Sequence, residues 1–99
     1  MSNKFKFDEQ ILATLNQYVP IVARVHGPTH SEFYEVQKIY NQLVETLKES
    51  NSLESLFGQL REVTSNYLVP VDVCESYEAV YEMLNQLDNA YSNFSKNQF

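Results

Sequence analysis

The chain contains no tryptophan, one cysteine, two glycines, three prolines and two histidines. A single cysteine cannot close a disulfide within the chain, which suits a reducing compartment, and the expected location is the cytoplasm. So few glycines and prolines supply little turn material for an all-β fold. Basic residues are scarce as well: 7 Lys and Arg stand against 13 Asp and Glu, for a net charge of −6. That balance excludes the basic face that nucleic acid requires and disfavours docking on anionic lipid. No window approaches the ~20 apolar residues of a membrane span. The opening residues Met1 to Phe7 carry two lysines but no apolar run of the secretory kind. Phosphate loops, CxxC pairs and nucleophile elbows are absent, and Ser, His and Asp show no triad spacing, so no enzymatic activity is expected.

What is present is helical. Ninety-nine residues, 43% of them hydrophobic, make one small domain spanning residues 1–99. Seven tyrosines and six phenylalanines supply the bulk of its core. Apolar residues recur three and four apart in four stretches, predicting helices over about residues 8–25, 30–49, 52–67 and 73–93, with a frayed tail at 95–99. The first stripe is Phe7, Ile11, Leu15, Tyr18, Val22 and Val25, with a kink expected between Asn16 and Pro20. Gly27-Pro28 ends this helix. The second stripe is Phe33, Val36, Tyr40, Leu43, Val44 and Leu47; the third is Leu53, Leu56, Phe57, Leu60, Val63 and Tyr67. The fourth is Tyr77, Val80, Tyr81, Leu84, Leu87, Tyr91 and Phe94. Capping boxes are expected at Thr29–Glu32 and Asp72–Glu75, and Asn51 with Glu54 marks a further helix start. Short connections between amphipathic helices predict an all-α, up-and-down four-helix bundle.

Three polar residues stand out. His26 closes the first helix, where its ring can meet the last carbonyls, and His30 follows four residues on with Glu32 beside it. Imidazole and carboxylate are metal-ligand types, so these residues raise the question of a bound metal. Cys74 is expected to be a small, partly buried residue rather than a reactive thiol. Glu75, Glu78 and Glu82 are expected to form a solvated acidic face.

Two stretches carry a resemblance. The first is Val25-His26-Gly27 with His30, Glu32 and Glu35-Val36. The second is Leu60-Arg61-Glu62-Val63-Thr64-Ser65-Asn66-Tyr67 followed by Pro70, Asp72, Cys74, Ser76-Tyr77 and Tyr81. In order and spacing they resemble the hemerythrin-like domain of the iron–sulfur cluster repair (RIC) family, over about Tyr18 to Tyr91. The resemblance implies a hemerythrin-like four-helix bundle with a non-haem di-iron centre, and a role in restoring iron–sulfur clusters damaged by nitric oxide or oxidants. Two iron ions need roughly ten inward-facing ligand positions, filled by imidazoles and carboxylates. This chain has two histidines in all, and the end of its last helix, Tyr91-Ser92-Asn93-Phe94-Ser95-Lys96-Asn97-Gln98, has neither histidine nor carboxylate.

The expected function is therefore a small cytoplasmic helical protein of this type that builds no di-iron centre alone. It would act without catalysis as an interaction or regulatory module in nitrosative or oxidative stress, through a protein partner or a homodimer. No cofactor is expected in the single chain. The alternative is an iron-binding cluster-repair protein whose site, built on His26, His30 and Glu32, is completed in a homodimer or by a partner.

Overall fold

The computed structural model describes residues 7–49 and 52–96. Four helices make an all-α bundle: α1 (Glu9–His26), α2 (Glu32–Lys48), α3 (Glu54–Val63) and α4 (Glu75–Lys96). α1 packs against both α2 and α4, and α2 also packs against α3. α3 reaches α4 through long side chains, with the Phe57 and Tyr91 rings 5.5 Å apart. Phe7, ahead of α1, sets its ring edge-on to Phe57 at 6.0 Å. The body measures 45 × 22 × 18 Å.

The α1 stripe is rotated from the expected one. Leu15, Val19, Val22 and Ala23 are buried, and Val25 is 61% exposed. Steps of four, three and four residues from Leu15 lead through Val19 and Val22 to His26, not to Val25. The imidazole thus stands on the packed face of α1. Asp8 caps this helix, its Oδ1 accepting from the Gln10 and Ile11 amides at 2.8 and 3.4 Å. α1 continues unbroken through Pro20, which is exposed.

Gly27 does not end α1 by a left-handed turn. Its φ of −52° is right-handed. What requires glycine there is space, because a β-carbon would overlap the Tyr34 ring and the Ala23 carbonyl oxygen.

Neither described capping box forms. The Thr29 hydroxyl turns back to donate to the His26 carbonyl at 3.2 Å, alongside the Thr29 and His30 amides. α2 then begins at Glu32, two residues later than expected, with no side-chain cap from Ser31. Asp72 faces His30 instead of capping α4. Asn51 lies outside the described residues; the Glu54 amide donates to Ser52 Oγ at 3.3 Å.

α3 stops four residues short of the expected end. Ser65, Asn66 and Tyr67 carry φ of 54°, 62° and 65°, a left-handed turn without glycine. The buried Thr64 side chain holds it, donating to the Leu60 carbonyl at 2.7 Å and accepting from the Tyr67 amide at 2.8 Å. The Asn66 amide reaches the Arg61 carbonyl at 2.7 Å. Residues 64–74 then cross as a non-helical strap to α4. α4 extends to Lys96, so Ser95 and Lys96 belong to it rather than to a frayed tail, and residues 97–99 lie outside the described ones.

Candidate functional site

The end of the bundle that holds the α1–α2 turn and the strap gathers most of the chemistry-bearing side chains. His26 arrives on the packed stripe of α1. His30 and Glu32 stand at the entry to α2. Asp72 lies on the strap, Cys74 directly precedes α4, and Tyr77 and Tyr81 lie one turn apart on α4.

His30 bridges two carboxylates. Its Nδ1 is 3.2 Å from Glu32 Oε2, and its Nε2 is 3.2 Å from Asp72 Oδ1. Either neutral tautomer can donate to only one of them; the imidazolium donates to both. The ring therefore ties α2 to the strap. The Tyr77 hydroxyl donates to the same Glu32 Oε2 at 3.3 Å, and its oxygen lies 3.0 Å from the Tyr81 hydroxyl. Either hydroxyl can supply the proton of the Tyr77–Tyr81 contact. A polar chain thus runs from Tyr81 through Tyr77, Glu32 and His30 to Asp72. Burial, first, and then the neighbouring Tyr81 and Glu32 push the Tyr77 hydroxyl well above the ordinary tyrosine range. Burial also raises Tyr81. Both remain protonated donors at neutral pH.

His26 is separate from this chain. Its Nε2 lies 3.0 Å from Cys74 Sγ, and its ring meets the Tyr77 ring edge-on at 5.5 Å. The expectation that Cys74 is a partly buried packing residue is overturned, because the thiol is exposed. It stands at the mouth of the α1–α4 seam, where packing ends. Of the three candidate ligands, the fold brings His30 and Glu32 together and directs His26 to Cys74. Glu75, Glu78 and Glu82 are exposed, as expected.

A second polar cluster escaped sequence reasoning. Asp88 is 6% exposed and accepts from the Tyr67 hydroxyl at 2.8 Å, with Arg61 Nη1 at 3.5 Å. Its position among the α4 apolar residues was the available signal, since a buried carboxylate must be paired. This cluster ties the strap and α3 to α4. Residues of the second signature stretch thus meet real partners: Arg61 and Tyr67 at Asp88, Asp72 at His30, Cys74 at His26, and Tyr77 at Glu32.

An open recess of about 510 Å³ lies under the strap, walled by Val63, Leu68, Val69 and Val71, with Glu32 and Tyr81 at its polar side. Leu68 and Val71 are 71% and 104% exposed. With Ile21, Val25 and Tyr34 they are the large hydrophobic residues exposed among those described, and all five lie toward this end.

A di-iron centre does not fit these residues. Among the described residues no three His, Cys, Asp or Glu side chains come together as a ligand set. The interior is filled by aromatic and aliphatic side chains, Phe33, Tyr40, Phe57, Tyr77 and Tyr81 among them, and the buried polar side chains among the described residues are Thr64 and Asp88. Both His30 ring nitrogens are committed to carboxylates. No described helix is long and apolar enough to cross a membrane.

Comparison with known proteins gives one distant relative. The chain is 28% identical over 109 residues to the iron-sulfur cluster repair protein ScdA of Staphylococcus haemolyticus, a match covering 75% of this chain and 49% of that protein. It thus spans about half the length of the curated relative it matches. The match covers 75% of the 99 residues, about 74, yet runs over 109 positions, so the relative carries extra residues within the matched region. No family model and no solved structure matches.

Proposed function

We propose that this chain is a hemerythrin-like helical module of iron–sulfur cluster repair that acts by protein contact and builds no di-iron centre of its own. The observation that carries this reading is the filling of the bundle interior. Aromatic rings occupy the space between α1, α2 and α4, while the polar residues on which the family resemblance rests are used to fasten the two connections at one end. The distant similarity to a cluster repair protein supplies the functional setting. The apolar residues exposed at the loop end supply the surface: Leu68 and Val71 on the strap rim the recess, beside Val25 and Tyr34 on the helices. Their partner would be a protein with a damaged iron–sulfur cluster, met in nitrosative or oxidative stress in the cytoplasm.

Two measurements test this. Anaerobic addition of ferrous iron to untagged protein is expected to leave far less iron than the two ions per chain of a di-iron centre; two per chain overturns the reading. Cross-linking to a purified [4Fe–4S] dehydratase damaged by nitric oxide is expected to weaken at least several-fold in the Leu68→Ser, Val71→Ser double variant. Equal cross-linking by variant and parent overturns the contact surface.

A further inference from the structure

Under the strap the molecule carries an apolar groove with acidic edges. The recess of about 510 Å³ meets a second, of about 310 Å³, between α2 and α3, and Val63 lines both. The floor is apolar: Ile39 is buried, and Val63 and Val69 are half-buried. Three carboxylates edge it, Glu32 on the first recess and Glu35 and Glu62 on the second, and no described lysine or arginine lines either. Glu35 and Glu62 are exposed and have no ion-pair partner among the described residues. Glu32 meets His30 and Tyr77 through Oε2, and its Oε1 has no hydrogen bond to a described residue.

Shape and sign select the occupant. A small molecule binds where roughly 70–90% of its surface is enclosed; this groove is open to solvent, and Val71 on its rim stands fully outside. A neutral apolar occupant would strip water from three carboxylates and give them no hydrogen bond in return. Lysine or arginine side chains replace those bonds, while their methylene stems cover the apolar floor. Nucleic acid, anionic lipid and a second copy of this chain, itself at −6, bring like charge to these edges. Glu32 and Glu35 lie one turn apart on α2, with about 5–6 Å between their β-carbons. Side chains three or four apart on a helix laid alongside have the same spacing. We infer that the groove receives a basic amphipathic helix of a partner protein. Its apolar face lies on Val63 and Leu68, its cations meet Glu32 and Glu35, and Glu62 flanks it from α3. The inference rests on the loop end being a contact surface and names the chemistry of the partner.

The probe is a fluorescein-labelled synthetic helix with leucine on one face and lysine along its flanks, titrated with the full-length protein and followed by fluorescence anisotropy. The expected result is saturable binding that weakens as salt rises, with amide NMR shifts centred on Val63, Leu68 and Val69. The same peptide with glutamate in place of lysine should not bind. The Glu35→Lys, Glu62→Lys double variant should weaken binding by about tenfold or more while keeping the helical circular dichroism. Glu75→Lys with Glu78→Lys changes the net charge equally on α4, outside the groove, and should leave binding within about twofold. Equal loss in both double variants overturns the inference, as does binding of the glutamate peptide or a set of shifts centred elsewhere.

This inference and the contact surface fail separately. If the lysine peptide does not bind while the Leu68→Ser, Val71→Ser variant still weakens cross-linking to the damaged dehydratase, the basic helix is overturned and the surface stands. Peptide binding at the groove, with equal cross-linking by that variant and the parent, supports the groove and overturns the dehydratase contact.

Discussion

At Gly27 a β-carbon would run into the Tyr34 ring and the Ala23 carbonyl; at Gly58 it would meet only Arg61 Nη2, at 3.9 Å. The two glycines therefore answer oppositely to alanine. Gly58→Ala, inside α3, should stabilise by about 1 kcal/mol through helix propensity, raising Tm by roughly 4–8 °C. Gly27→Ala should destabilise by about 1–3 kcal/mol, because one of the atoms in the way is backbone. Thermal and urea unfolding of both variants check this. The sequence marks both glycines but not which of them is crowded, since that depends on a ring from the next helix. The same limit hid the fate of the polar residues. The helical spacing of Leu15, Val19, Val22 and His26 is readable in the sequence and places the imidazole on the packed face. Its partner Cys74, 48 residues away, is not readable.

Among the elements, α1, α2 and α4 follow from their apolar spacing to within a few residues, because a 3.6-residue period over 17 to 22 residues leaves few alternatives. The ends misled. Thr29–Glu32 and Asp72–Glu75 have the spacing of capping boxes, but Glu32 and Asp72 face His30 across the fold instead of the helix amides. α3 was overextended because Val63 and Tyr67 keep the spacing while the backbone between them reverses hand. That reversal costs about 1–2 kcal/mol per non-glycine residue and is held by Thr64 and by the Tyr67–Asp88 bond. Ser65 is exposed with φ 54° and, unlike Asn66, is not a residue type enriched in the left-handed region. Ser65→Gly should therefore raise stability by about 0.5–1 kcal/mol, read as a shift in the urea midpoint without a change in slope.

For the molecule as a whole, alkaline pH is the informative variable. Tyr40, 2% exposed, joins α2 to α1 by donating to Asn16 Oδ1 at 2.6 Å. Burial pushes its hydroxyl from the ordinary 10.0 up to about 12. Below pH 10 the hydroxyl is protonated in both folded and unfolded chains and its contribution is complete. Between about 10 and 12 the unfolded chain alone releases the proton, so stability falls as pH rises. Burial raises Tyr67, Tyr77 and Tyr81 in the same direction. Melting temperature should therefore decline steeply above pH 10, and Tyr40→Phe should decline less steeply; parallel curves for the two proteins overturn the assignment. At this scale the bundle was legible from composition and period alone. The loop-end site was legible only as a set of residue types, since its bonds join stretches that are far apart in the chain.

That distance shapes how the molecule assembles. The bonds His26–Cys74, His30–Asp72 and Glu32–Tyr77 span 48, 42 and 45 residues. The α1–α2 and α2–α3 pairings close short loops, whereas the α1–α4 seam must bring together the first and last quarters of the chain, at the largest cost in chain entropy. The seam should consequently be the last of the three pairings to form in folding. Amides at the start of α4 should exchange with solvent sooner than those of α2. The end of the molecule offered to partners is thus governed by how firmly α4 docks, and whatever binds there tightens the last step of folding.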